Sequence, residues 1–129
     1  IISELDIFHK TYPNLNKITI TGTNGKSTTS KLIYDVLKYH KKDVRLAGNI
    51  GNPILKEKNI KKNTIFVIEA SSYQIDYSKY FETNIALILN ISPDHIERHK
   101  TFQNYAKVKI KLINITKQNF IIISLFLNI

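Results

Sequence analysis

Short apolar runs alternate with longer amphipathic stretches along this chain, and the two spacings predict its elements. Lys17-Ile18-Thr19-Ile20-Thr21 is β-branched and reads as a strand ending in a glycine turn. From Ser27 to about His40 the spacing becomes helical, with Leu32, Ile33, Val36 and Leu37 assigned to one face and Lys31, Asp35 and Lys38 to the other. Val44 to Ala47, Thr64 to Ala70 and Ile85 to Ile91 read as a second, third and fourth strand. A helix is expected from roughly Thr101 to Ile115, leading into an apolar run from Phe120 to Leu127 broken only by Ser124. That run reads as a buried strand and is far too short to span a bilayer. Strands alternating with helices predict an α/β fold, a mainly parallel sheet with flanking helices. Ligands of such sheets sit at the carboxyl ends of the strands, so chemistry is expected just after each one.

Composition narrows the picture. The 129 residues suit one domain with a sizeable core, and 43% hydrophobic with 22% charged residues is ordinary for a globular protein. Repeats, low-complexity stretches and Gly/Ser linkers are absent from the sequence. The chain opens Ile1-Ile2 without methionine and stops soon after an apolar run that would need cover, so it reads as a piece of a longer chain. A net charge of +9 raises nucleic acid or an acidic surface as partner. The lysines are scattered, however, and Ile, Asn and Lys are heavily used throughout, a bias expected of an AT-rich coding sequence. Neither a nucleic-acid nor a membrane partner is therefore expected, although part of the charge can serve phosphorylated ligands. With no cysteine there is no disulfide framework or thiolate zinc site, and no signal stretch opens the chain. A cytoplasmic location is expected.

Thr21-Gly22-Thr23-Asn24-Gly25-Lys26-Ser27-Thr28 lies between a predicted strand and a predicted helix. Its glycines free backbone amides to point inward, and the following helix adds its positive dipole end to the same spot. Lys26 can reach the β- and γ-phosphates of a nucleotide, and the Ser27 hydroxyl can ligate Mg²⁺. The general phosphate-loop pattern wants a glycine where Ile20 stands, so this is a tighter variant.

Three further sites follow. Glu69 ends the apolar run Phe66-Val67-Ile68, where a carboxylate can reach a metal at the phosphate loop or simply close a strand in solvent. His95, within Asn90-Ile91-Ser92-Pro93-Asp94-His95-Ile96-Glu97-Arg98-His99, is either a metal ligand or a solvated neighbour of a helix cap. Lys109 falls in the apolar stripe of Phe102, Tyr105, Ala106, Leu112 and Ile113, while Lys107 and Lys111 are expected on the opposite side. An inward lysine must be paired, be neutral, or snorkel past its neighbours.

Thr-Gly-Thr-Asn-Gly-Lys-Ser resembles the nucleotide loop of the Mur ligases and of the related folylpolyglutamate synthases. Glu69-Ala70-Ser71-Ser72-Tyr73-Gln74 and Asn90 through His99 resemble the D-glutamate-adding Mur ligases, and Tyr105-x-x-x-Lys109 matches a further pattern of the family. Gly48-Asn49-Ile50-Gly51 resembles another turn of these ligases, and Ser3-Glu4-Leu5-Asp6-Ile7-Phe8 their lead-in. The resemblance covers about residues 3 to 118. It implies a lead-in over 1–16 and part of a phosphate-loop (P-loop) central domain over 17–129. An N-terminal domain for the uridine nucleotide and a closing C-terminal domain would lie outside the chain.

The implied reaction is ATP-dependent amide formation. UDP-N-acetylmuramoyl-L-alanine would be activated as an acyl phosphate and attacked by the amine of D-glutamate. Gly22, Thr23, Asn24, Gly25, Lys26, Ser27 and Thr28 would hold ATP. Ser27 and Glu69 would hold one Mg²⁺, and His95 with a carbamylated Lys109 a second. Asn49, Ser71 and Gln74 would face the substrate, and the parent is expected to be a monomer. Competing readings are an ATP-dependent ligase using another amino acid or folate, a non-catalytic nucleotide-binding remnant, and a basic nucleic-acid module. Tyr73-Gln74 and Asp94-His95 through His99 speak against the first of these.

Overall fold

The structure, a computed structural model, describes residues 3–22, 25–48, 53–89, 110–111 and 114–123. In chain order these give α1 (Glu4–Thr11), β1 (Asn16–Thr21), α2 (Lys26–Tyr39), β2 (Val44–Gly48), a 3-10 turn at Ile54–Lys56, β3 (Ile65–Glu69), α3 (Ser72–Tyr77), β4 (Thr83–Ile88) and β5 (Thr116–Ile123). The five strands form one sheet in the order β2-β3-β1-β4-β5, and every paired neighbour is parallel. The predicted α/β class stands and a strand is found at each predicted place, with β4 starting earlier than expected at Thr83. Residues 90–91 and 124–127 of the predicted strands, and most of the helix expected from Thr101 to Ile115, lie outside the described residues. β5 begins before the apolar run at Phe120.

Period-two alternation sorts the strand residues onto two faces. On one face Phe66 and Ile68 of β3 and Ala86 and Ile88 of β4 join Leu5 and Phe8 of α1, Ile75 of α3 and Phe81. On the other, Ile20, Val44 and Val67 meet Ile33, Tyr34 and Leu37 of α2. Helices thus cover both faces, as a parallel sheet requires.

The face of α2 differs from the expectation. Ile33 and Leu37 pack inward, but Leu32 is 62% and Val36 50% exposed. The helix is rotated so that Tyr34 replaces Leu32 and Val36 against the sheet.

Two short helices escaped the sequence pattern, and each is closed by a capping box. In α1 the Ser3 hydroxyl accepts the Asp6 N–H while Asp6 accepts the Ser3 N–H. The Asp6 carboxylate is fully buried and also accepts the N–H groups of Lys79, Tyr80 and Phe81 at 2.7–3.0 Å. It therefore ties α1 to the connection between α3 and β4. Burial works against its charge, yet the backbone donors outweigh that and hold its carboxyl below the ordinary range.

The α1-facing side of β1 is polar. Lys17 is 1% exposed, with its Nζ 3.0 Å from His9 Nδ1 and 5.8 Å from the centre of the Phe8 ring. The other ring nitrogen of His9, Nε2, faces the Glu82 carboxylate at 3.7 Å. Next along β1, the Thr19 hydroxyl donates to the Thr83 hydroxyl, which donates to the Lys17 carbonyl. Pattern reading treats such residues as exposed; here each finds a buried partner.

On the edge strand Arg45 of β2 donates to Asp43, Glu57 and the carbonyls of Lys58 and Asn59, which fastens the β2–β3 connection.

Candidate functional site

The carboxyl ends of β1, β2 and β3 are adjacent, and the site is built there. Ile20 pairs with Glu69 across β1 and β3, and Gly48 pairs with Glu69 across β2 and β3. The exit of β1 is held from both sides, since the Ala70 N–H donates to the Ile20 carbonyl and the Leu89 N–H to the Thr21 carbonyl, each at 3.0 Å.

Beyond β1 the chain turns through Gly22 and enters α2 at Gly25, its N-cap, with φ 83°. A left-handed residue is needed here, and glycine adopts it without penalty. Glycine also has no side chain with which to cap the helix. Gly25 thus leaves the start of α2, the positive end of a 14-residue helix, suited to an anion. The Lys26 ammonium folds over this mouth and donates to the Gly22 carbonyl at 2.7 Å. Behind it Ser30 is buried, and its hydroxyl donates to the Lys26 carbonyl at 2.6 Å.

Glu69 forms the floor. It is 4% exposed, and its Oε1 accepts from the hydroxyl of the exposed Ser27 at 3.2 Å. A buried carboxylate beside a hydroxyl, next to an anion-binding helix end, is a suitable oxygen pair for a hard divalent cation. The two residues are 42 positions apart in sequence, and only the sheet brings them together.

Gly48 supports Glu69 from β2. With φ 118° it lies so close to the Glu69 backbone that a side chain there would fall on the Glu69 carbonyl. The sequence reading placed Gly48 in a turn after the second strand, whereas it is the last residue of β2, and gave no sign of this contact.

Beyond Glu69, Ser71 and Gln74 close a second capping box at the start of α3. The Ser71 N–H donates to Gln74 Oε1 at 2.9 Å, and the Gln74 N–H donates to the Ser71 hydroxyl at 3.3 Å. Both residues stand beside the site and are engaged in fixing α3. Gly22, Gly25, Lys26, Ser27, Thr28 and Glu69 are thus brought to one end of the sheet. Thr23, Asn24, Asn49, His95 and Lys109 lie outside the described residues. Among the described residues no three His, Cys, Asp or Glu side chains gather as a metal cluster, so the floor consists of one carboxylate and one hydroxyl. Among them, too, no helix is long and apolar enough to cross a membrane.

Known proteins resemble this chain in sequence and in fold. A family profile described as Mur ligase middle domain matches residues 20–127. The UDP-N-acetylmuramoylalanine--D-glutamate ligase of Caldicellulosiruptor bescii is 40% identical over 126 residues, covering 96% of this chain and 28% of the relative. The protein of the same name from Bartonella henselae is 47% identical over 104 residues, covering 81% of this chain and 22% of the relative. The chain therefore spans about a quarter of the length of these curated relatives. Among solved structures, MurF ligase from Thermotoga maritima in complex with ADP superposes with a TM-score of 0.71 at 21% identity, covering 93% of this chain and 31% of that one. A UDP-N-acetylmuramoyl-L-alanyl-D-glutamate--2,6-diaminopimelate ligase gives 0.68 at 21% identity, covering 95% of this chain and 34% of that one. At such identities the likeness speaks for the fold, which agrees with the sheet described above. From Ile20 to the last strand, the chain belongs to the Mur ligase family through its middle domain.

Proposed function

We propose that the chain is the nucleotide-binding part of an ATP-dependent ligase of peptidoglycan-precursor synthesis that joins D-glutamate to UDP-N-acetylmuramoyl-L-alanine. One observation carries this reading: a glycine-capped helix start under the Lys26 ammonium, with the buried Glu69 carboxylate 3.2 Å from the Ser27 hydroxyl at its rim. The choice of D-glutamate rests on the name shared by the relatives and on the run Glu69-Ala70-Ser71-Ser72-Tyr73-Gln74.

Lys26 and the amides of Gly22 through Thr28, including Thr23 and Asn24, would hold the phosphates of ATP. Ser27 and Glu69 would hold one Mg²⁺, and His95 with a carbamylated Lys109 a second. Ions held there would offset the repulsion between an anionic carboxylate and the terminal phosphate. The muramoyl carboxylate would take the terminal phosphoryl group of ATP, releasing ADP, and the amine of D-glutamate would then displace phosphate from the acyl phosphate and lose a proton to form the amide. Positioning and charge account for most of such catalysis, and Lys26 and Glu69 contribute both. Asn49, Ser71 and Gln74 would lie on the substrate side. In this reading residues 1–16 lead into a partial central domain over 17–129. Domains for the uridine nucleotide and for closure over the amino acid complete the enzyme, a cytoplasmic monomer acting on small molecules.

The test is ADP release by the full open reading frame containing this segment, with UDP-N-acetylmuramoyl-L-alanine and D-glutamate, L-glutamate, L-lysine or diaminopimelate. Turnover with D-glutamate should exceed that with the other amines by about 100-fold or more, the discrimination expected of a polar substrate site. Preference for another amine would keep the chemistry and move the substrate. No ADP release with any of them would leave a nucleotide-binding remnant.

A further inference from the structure

Gly48 is the last residue of β2 and pairs with Glu69, the last of β3. A methyl group on Gly48 would fall on the Glu69 carbonyl oxygen and lie 3.0 Å from both the Glu69 amide nitrogen and its carbonyl carbon. Three backbone atoms of one residue thus crowd a single point. The φ of 118° is also one that residues with a side chain rarely adopt. Elsewhere the same two strands carry ordinary side chains, with Val44 opposite Ile65, Arg45 opposite Phe66, Leu46 opposite Val67 and Ala47 opposite Ile68. The demand for glycine falls at the register position of the buried carboxylate.

What a side chain would do there depends on which strand gives way. β2 lies at the edge of the sheet, and an edge strand can swing outward. It is pinned, however, by the four partners of Arg45 and by the burial of Val44 and Ala47 in the cores on opposite faces of the sheet. Past Glu69 the chain is held as well, by the Ala70 N–H on the Ile20 carbonyl at 3.0 Å and by the capping box that begins at Ser71. Glu69 sits between these anchors, 4% exposed, with its Oε1 3.2 Å from the Ser27 hydroxyl. Ser27 belongs to α2, a separate element. A push on the Glu69 peptide therefore moves its carboxylate relative to Ser27.

We propose that Gly48 is a positioning residue for Glu69. Its missing side chain lets β2 close on β3 so that the Glu69 carboxylate and the Ser27 hydroxyl form one oxygen pair, and a side chain there spoils the pair while sparing the phosphate loop. The consequence for metal binding rests on the reading of Ser27 and Glu69 as Mg²⁺ ligands; the crowding at Gly48 does not. The competing role is structural only, a glycine kept so that the chain can turn out of β2.

Gly48→Ala, Glu69→Gln and the double variant, made in the full open reading frame, separate these roles. Calorimetric titration with ADP in EDTA reads the phosphate loop. The dependence of ADP affinity on free Mg²⁺ gives a half-saturating Mg²⁺ concentration, which reads the oxygen pair. In folded Gly48→Ala that concentration should rise about tenfold or more, as for loss of a group that orients a metal ligand, while the Kd of ADP in EDTA moves less than about threefold. Added to Glu69→Gln, the same alanine should shift it less than about twofold, because the group it acts through is already gone. Unchanged Mg²⁺ dependence in Gly48→Ala overturns the positioning role. So does a rise of equal size in both backgrounds, or a loss of ADP affinity in EDTA as large as the Mg²⁺ effect. Normal Mg²⁺ dependence in Glu69→Gln alone overturns the reading of Glu69 as a ligand, and the positioning role with it, whatever Gly48→Ala does. If Gly48→Ala does not fold, the titrations are repeated on all forms in trimethylamine N-oxide, which favours the folded state by exclusion from the protein surface. A chain still unfolded there makes Gly48 a structural requirement and overturns the proposal.

Discussion

Asp6 shows at the scale of one residue how position overrides type. It lies on the lead-in helix, far in sequence from the phosphate loop, yet accepts four backbone N–H groups with its carboxylate buried. Its folded pKa lies below the ordinary value of 3.8, because those donors outweigh the effect of burial. A depressed carboxylate contributes stability above its unfolded pKa and loses it as pH falls through the folded value. Asp6→Asn should therefore cost about 2–4 kcal/mol at pH 7, from donors left poorly matched in the interior. Urea unfolding at pH 7 and at stepwise lower pH checks this. The gap between parent and variant should hold down to about pH 4 and narrow below it. A gap constant through pH 3 and below would remove the ionised carboxylate from the account. The signal for Asp6 was present in the sequence as Ser3-x-x-Asp6, a capping-box spacing, but nothing local announced the donors at Lys79, Tyr80 and Phe81.

Among the elements, α2 was foreseen in length and start but not in rotation. Leu32, Ile33, Val36 and Leu37 all lie within an arc that a 3.6-residue period assigns to one face. The sheet takes only Ile33 and Leu37, with Tyr34 beside them. Leu32→Gln should accordingly leave stability within about 0.5 kcal/mol, whereas Leu37→Ala should cost about 1–3 kcal/mol. Thermal unfolding of the two variants checks it, and equal losses would restore the face first read from the sequence. Helices α1 and α3 were missed because 8 and 6 residues hold too few turns for a period to show. Their caps were the legible sign, Ser3-x-x-Asp6 and Ser71-x-x-Gln74. Strands were easier, since β-branched runs such as Lys17 to Thr21 need only two alternations to be recognised.

For the whole molecule, the charge of +9 is the feature most open to misreading. Several basic groups already have local partners: Lys31 pairs with Asp35, and Arg45 with Asp43 and Glu57. Lys17 is buried, and Lys26 lies at the phosphate loop. Retention on immobilised DNA should therefore be weak and independent of sequence, and it should be lost by about 0.2 M salt, as for incidental contacts. Sequence-selective retention at that salt would favour the nucleic-acid reading.

What the sequence determined by itself is local. The phosphate loop, the strands, the span of α2 and the capping spacings depend on neighbours within a few positions, where residue type and period decide backbone conformation. What the tertiary structure decided is long-range: the strand order β2-β3-β1-β4-β5, the burial of Lys17 and Asp6, and the meeting of Ser27 with Glu69 across 42 positions. It likewise brought the Lys111 side chain onto the Asp76 and Ser78 carbonyls. No period encodes these, because each depends on which strand lies beside which. That choice is made by burial of both sheet faces together and by buried polar groups finding partners.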